Sequence, residues 1–281
     1  MVDSSRYQKF GTIYSMKKVR KVVANIKLFL DYRELLWNLA NREITQRYKQ
    51  SVLGYAWVIL NPLFQLIVMS FVFDIVLRIP SLGVPFILFL SAALLPWNLF
   101  TQSLVSSSNV LVSNSNLITK IYFPREILVY STIIAKMVDF FFSCLVLVFF
   151  LFIFKIPVTV YYLWLPVIFV VQLFFMTGIS LVVSALNLFY RDIQYLLNLV
   201  LLLWMYITPI MYPIEIIPEK YRFIMSLNPM AVIVNAYRQV LLSGKNPNLY
   251  SLGVAALVSF IVFSFGFILF KKLEGEFADY V

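Results

Sequence analysis

The feature that most constrains this chain is a succession of apolar runs, each about twenty residues or longer, separated by short polar links. A helix needs about 20 mostly apolar residues to cross the ~30 Å hydrocarbon core of a bilayer. Six runs meet that requirement: residues 54–77, 84–104, 127–154, 163–189, 193–212 and 251–270. Of the 281 residues, 62% are apolar and 13% charged, against about 45–50% and 25% in a soluble domain. The expected fold is an all-α integral membrane protein with six transmembrane helices over residues 54–270, leaving no room for a large soluble domain.

Charge is concentrated at the start. Residues 1–50 hold eleven Lys or Arg against four acids, a net of +7 within an overall +10. In a soluble chain that balance would point to nucleic acid. Beside membrane spans it belongs on the cytoplasmic face, near anionic lipid heads. Residues 1–27 read as a basic cytoplasmic arm and 271–281 as a cytoplasmic tail. No apolar core precedes a small-residue cleavage site, so no cleavable signal is expected.

The residue inventory excludes much chemistry. Cys144 is the only cysteine, so no intrachain disulfide can form. Histidine is absent, which removes the usual catalytic triads and most zinc sites, and no metal site is expected. Gly244-Lys245 is followed by Asn246 and lacks the earlier glycine of a phosphate-binding loop. No paired carboxylates are placed for acid–base work, and the centres of the last three runs carry no ionisable group, unlike ion-coupled transporters. The chain is expected not to be an enzyme. Any ATP and Mg that drive it would be bound by another protein.

Within the runs, prolines mark breaks: Asn61-Pro62 in the first, Leu95-Pro96-Trp97 in the second, Thr208-Pro209 in the fifth. In lipid, the carbonyl that a proline frees needs a new partner. Lys136 and Asp139 fall on one face of the third run and are expected to neutralise each other as a helix-packing device. Before the first run, Leu28, Tyr32, Leu36, Leu39, Ala40, Ile44 and Tyr48 recur at helical spacing. Residues 28–53 are therefore expected to form an amphipathic interfacial helix, its cations toward head groups.

Two links stand out. Residues 114–126 carry Asn116, Lys120 and Arg125 around an apolar centre of Leu117, Ile118, Ile121 and Tyr122, which reads as a short helix lying against a partner. Residues 213–250 hold four prolines yet stay semi-apolar, which reads as short re-entrant external helices, a seventh crossing over 222–242 being the alternative. Six crossings place both termini, the 114–126 link and the turn at Arg191-Asp192 inside the cell. Trp37, Tyr161, Tyr162 and Trp164 fit an interfacial belt. Tyr55, Trp57, Phe64, Trp97, Trp204, Tyr206 and Tyr212 lie in the broken spans, where pore lining and packing both account for them.

Four stretches, taken together, resemble the permease subunits of ABC exporters for bacterial surface polysaccharides, in the O-antigen branch. They are Tyr32 to Leu36 running through Arg47 to Gly54 and Asn61-Pro62; Leu94 to Trp97; Asn114 to Arg125; and Thr208 to Pro213, continuing to Asn228-Pro229-Met230 and Tyr237-Arg238. The likeness covers the chain from about residue 30 onward.

The resemblance implies a homodimer bound to two cytoplasmic ABC ATPase subunits in the bacterial inner membrane. Its channel would pass polysaccharide carried on undecaprenyl pyrophosphate. It further implies that Asn116, Leu117, Ile118, Lys120, Ile121, Tyr122, Phe123, Pro124 and Arg125 couple to the ATPase, with Arg191 and Asp192 as a smaller contact. The segment bearing Pro209, Pro213, Pro218, Asn228, Pro229 and Arg238 would gate the exit. The resemblance places the helix over 30–50 at the entrance; that Arg42, Arg47 and Lys49 there receive pyrophosphate, or equally lipid head groups, is read from their charge. Alternatives are a teichoic acid or capsule exporter, a drug or lipid exporter of the same permease type and, from another class, a polyprenyl-phosphate-dependent transferase.

Overall fold

The computed structural model describes residues 31–49, 51–81 and 83–280. The basic arm expected over 1–27 and the first residues of the expected interfacial helix lie outside the described residues. Among the described residues the chain is helical, with no strand. In order, the helices are α1 (Arg33–Tyr48), α2 (Ala56–Ser70), α3 (Phe86–Ser113), α4 (Ser115–Lys120), α5 (Glu126–Ile153) and α6 (Leu165–Phe189). They are followed by α7 (Ile193–Ile207), α8 (Glu219–Leu227), α9 (Pro229–Leu241), α10 (Leu249–Leu273) and α11 (Phe277–Tyr280).

Five helical segments are long and apolar enough to cross a membrane: Ala56–Val76, Phe86–Ser113, Glu126–Ile153, Val160–Phe189 and Leu249–Tyr280. The run expected at 193–212 differs. Its helix, α7, has 15 residues, about 22 Å of length, which is short of the ~30 Å core. The cause is local. Pro209 disfavours helical geometry in the residue before it, and Thr208 is extended (φ −79°, ψ 131°). The Tyr212 hydroxyl then folds back and donates to the Tyr206 carbonyl at 2.8 Å, covering one of the acceptors left at the helix end.

Helix α3 is the axis of the bundle. Leu88, Leu90, Leu94, Leu104 and Leu111 on it are fully buried, with α5 and α6 packed along it. Helices α6 and α10 approach closely where Gly178 meets Gly266. A Cβ on Gly266 would lie 2.2 Å from the Gly178 carbonyl oxygen. Small residues at such a crossing let two backbones come together in a setting where apolar burial alone gives little drive.

Helix α1 packs along α5 through Leu39, Ala40 and Ile44, all buried. It ends at Tyr48, short of the residue 53 expected, and Trp37 points away from the bundle with 62% of its surface exposed. The break at Pro62 is resolved as lipid demands: the Ser143 hydroxyl donates to the Val58 carbonyl, four residues before the proline, at 3.2 Å. The expected Lys136–Asp139 pair makes no direct salt bridge, although the Asp139 charge still acts on Lys136. Asp139 is taken instead by Arg47, reaching over from the end of α1.

Residues 213–250 contain two short helices, α8 and α9, of 9 and 13 residues. Neither is long enough for a seventh crossing. Helix α9 is largely buried, including Met230, Ile233, Val234 and Val240. It is tied to the α5–α6 link by the Tyr162 hydroxyl, which donates to the Leu241 carbonyl at 3.2 Å. Asn228 starts the helix by accepting from the Met230 N–H at 3.1 Å.

Candidate functional site

The link after α3 is built from both of its ends. Asn114 terminates α3 by donating to the Val110 carbonyl at 2.8 Å, and its own oxygen accepts from Arg42 of α1. The following helix, α4, has six residues. Beyond it Ile121 is extended (φ −131°, ψ 134°), so the helix expected across 116–125 is about one and a half turns and then a bend.

Exposure sorts this link into anchors and free side chains. Ile118 and Phe123 are buried and pin it to the bundle, whereas Tyr122 is 97% and Ile121 57% exposed. Asn116 and Lys120 are also exposed, and Leu117, Pro124 and Arg125 are half-buried. Of the four apolar residues expected to meet a partner, Ile118 thus faces inward.

The far end of the link is held by the C-terminal tail. The Arg125 N–H donates to Glu274 Oε1 at 3.0 Å, and the Arg125 guanidinium donates to the Glu274 carbonyl. That guanidinium also lies 5.9 Å from the centre of the Phe277 ring. Lys271 sits between Glu126 (2.7 Å) and Glu274 (2.9 Å), so its charge bridges two carboxylates. Phe277 stacks edge-on against Phe270, and Tyr280 against Phe189 at the end of α6. Residues 271–280 therefore form a clasp around the link, a role that nothing in the local sequence assigns to them. Lys271, Glu274 and Glu276 are visible there as a charged tail, but partners about 145 residues away leave no local pattern.

At the same end, Arg191 and Asp192 are exposed. Asp192 does not cap α7 with its side chain. Asn187 does that work, accepting from the Gln194 N–H at 3.0 Å and donating to the Ser108 carbonyl at 2.9 Å. The cations of α1 are mostly engaged. Arg42 holds Asn114, and Arg47 pairs with Glu43 (3.3 Å) and Asp139. Lys49 is exposed. A cavity of about 340 Å³ opens between α1, α3 and α5, lined by Arg42, Glu43, Ser113, Asn114 and Thr132 among others.

The aromatic residues divide. Trp97 is buried, and it packs with Phe100, Phe175 and Trp204 in one cluster, ring centres 5.3–6.4 Å apart. The Trp204 N–H donates to Asn228 at 3.1 Å. Within one chain, Trp97 and Trp204 are packing residues. Tyr55, Trp57, Phe64 and Tyr206 are exposed, and Tyr212 is half-buried.

At the opposite end, Pro209, Pro213, Pro229 and Arg238 are buried and Pro218 is exposed. Arg238 donates to the carbonyls of Phe89, Pro209 and Ile210. Among the described residues no group of His, Cys, Asp and Glu could hold a metal ion.

Several membrane-length helices around a buried axis, with a short segment clasped at one end, make this a polytopic membrane protein. The chain belongs to the ABC-2 type transporter family, which it matches over residues 34–242. It is 34% identical over 247 residues to an O-antigen export system permease protein of Klebsiella pneumoniae, covering 88% of this chain and 94% of that one. A protein of the same description from Myxococcus xanthus is 29% identical over 257 residues, 90% of this chain and 98% of its own. A polysialic acid transport protein of Escherichia coli is more distant, at 23% identity over 238 residues, 83% and 91% of the two chains.

Proposed function

We propose that this chain is the channel-forming permease of an exporter that moves undecaprenyl-pyrophosphate-linked polysaccharide of the O-antigen type across the bacterial inner membrane. ATP is hydrolysed by a separate subunit. Two copies form the channel, each with six crossings and both termini in the cytoplasm, α7 and the buried Thr208–Met211 stretch together making the fifth. The greater identity to O-antigen permeases than to the polysialic acid protein favours this substrate class over capsule.

The observation that carries the mechanism is the clasped link between α3 and α5. Tyr122 projects with nearly its whole surface free while Ile118, Phe123 and Arg125 fix the backbone beneath it. A push delivered at Tyr122 and Ile121 reaches α3, α5 and α10 at once, because all three are joined there. Arg191 and Asp192 form the smaller contact. The exposed Tyr55, Trp57, Phe64 and Tyr206 line the path, and the segment from Pro209 to Arg238 stands at the exit. Since Arg42 and Arg47 already hold other groups, pyrophosphate capture at the entrance rests mainly on Lys49.

The test is complementation. In a strain lacking its own permease but retaining the ATPase and the glycan pathway, this chain restores surface polysaccharide. If lipid-linked glycan keeps accumulating inside while the protein is present in the membrane, the proposal fails.

A further inference from the structure

Asp139 leaves a question behind it. Its carboxylate is already neutralised by Arg47, yet Lys136, one turn earlier on α5, is retained at 8% exposure with no hydrogen bond or ion pair among the described residues. Asp139 and Glu43 place opposite charge near it, but a buried ammonium with no acceptor at bonding distance is still costly, and an ionisable group at membrane depth marks a functional site until another reason is found. Lys136 lies ten residues into α5, about 15 Å along its axis.

It lines a cavity of about 100 Å³ enclosed by three helices. Helix α2 contributes Trp57, Asn61 and Gln65, one turn apart, and α3 contributes Asn98 and Gln102, also one turn apart. Asn98 donates to Gln65 at 2.9 Å, which orients both amides, while Asn61 and Gln102 are exposed and make no hydrogen bond among the described residues. Trp57, 38% exposed, lies on the same face of α2 as Asn61.

We infer that this cavity is a subsite for a hydroxyl-rich glycan segment, seated by Lys136 and the amides of Asn61, Asn98 and Gln102 with a sugar face on Trp57. The inference rests on the export reading above. Charge decides between glycan and phosphate. Glu43, Arg47, Lys136 and Asp139 carry two charges of each sign, so the cluster has no net positive charge to hold an anion. Ammonium and amides together offer both donors and acceptors, as sugar hydroxyls require. The volume is too small to swallow a ring whole, below the ~150 Å³ that encloses a benzene. It takes the edge of a chain passing along α2 and leaves the chain free to slide on.

The test places a photo-crosslinking amino acid at Phe140, which lines the same cavity but is not one of the contacts proposed, in the full chain, in cells that supply the ATPase and make the glycan. Illumination joins glycan to the permease, and the yield falls about tenfold in a Lys136→Met background, the factor for one lost charge-assisted hydrogen bond. Asp139 keeps Arg47 in that variant, so no new buried charge is created. Gln102→Leu, on a different helix and without an internal partner, lowers the yield independently. Equal crosslinking with and without these substitutions, or none at Phe140 while the probe-bearing chain exports normally, overturns the subsite. Failure of the chain with no substitution at all to export overturns the underlying reading instead.

Discussion

The Arg238 guanidinium lies 3.5 Å from the centre of the Phe89 ring, and from that position donates to the carbonyls of Phe89 (3.1 Å), Pro209 (2.6 Å) and Ile210. Pro209 ends α7 early, and the backbone beyond it is buried without a helix to satisfy it. A planar fork of five donors that also stacks on an aromatic face suits this place, and no other side chain combines those properties. Arg238 thus joins α9, α3 and the broken end of α7. If the 208–238 segment gates an exit, this arginine is its inner pivot.

Replacing Arg238 with Ala leaves up to two buried carbonyls, of Pro209 and Ile210, without donors, while the Phe89 carbonyl keeps its bond within α3. At about 1–3 kcal/mol for each unsatisfied group, the loss is expected to be about 2 kcal/mol or more. The purified protein in detergent should unfold at clearly lower temperature, and Arg238→Lys should recover only part of the difference because it can neither fork nor stack. An Arg238→Ala protein with an unchanged melting curve would rule out the pivot.

Tyr122 and Glu274 offer a contrast at the other end. Tyr122 touches little within the chain, so Tyr122→Ala should alter stability by no more than about 0.5 kcal/mol while reducing export and permease-dependent ATPase activity together. Glu274→Ala removes the acceptor for the Arg125 N–H and one of the two carboxylates on Lys271. It should loosen the link, with faster amide hydrogen exchange across residues 121–126, and lower export without abolishing the folded bundle. Exchange unaltered by Glu274→Ala would show that the tail is not the clasp.

Much of this architecture is legible in the sequence. The apolar runs mark the long helices, and Pro209 announces the end of α7, although its effect is to shorten the span rather than merely kink it. The Asn114–Arg125 link stands out because a polar, amphipathic interruption between apolar runs has to leave the lipid and lie against a surface. Pairings over long separations are not legible. Lys136 and Asp139 satisfy a helical spacing rule, but Arg47 reaches Asp139 first from 92 residues away. Likewise, periodicity separates apolar from polar positions along the link without showing that Ile118 faces the bundle and Tyr122 the outside. Trp97 and Trp204 look equivalent to Trp57 until packing distinguishes them.

The glycine pair between α6 and α10 predicts a sharp positional contrast. A Cβ on Gly178 would lie 2.6 Å from the Phe263 backbone, and one on Gly266 2.2 Å from the Gly178 carbonyl. Backbone atoms cannot step aside as a flexible side chain can, so Gly266→Ala should force the helices apart at a cost of about 1–3 kcal/mol. Gly253 lies on the same helix with nothing within 4 Å of its Cβ position. Gly253→Ala should be neutral or slightly stabilising, since Ala exceeds Gly in helix propensity by up to about 1 kcal/mol. Equal melting temperatures for the two variants would contradict the close crossing.

The repair at Pro62 can be tested as a coupling rather than as a single loss. Proline at 62 removes the N–H that would bond the Val58 carbonyl, and Ser143 of α5 supplies a donor in its place. The same hydroxyl is shared with the Asp139 carbonyl one turn back at 2.9 Å, so Ser143→Ala alone should cost only about 1 kcal/mol. In a Pro62→Ala background the helix provides its own N–H for Val58, and the same serine substitution should then cost measurably less. The expected coupling is about 0.5–1 kcal/mol by double-mutant cycle, read from reversible unfolding in mixed micelles. A cycle that closes at zero would mean that the Val58 carbonyl is satisfied by some other route and that Ser143 serves only its own helix.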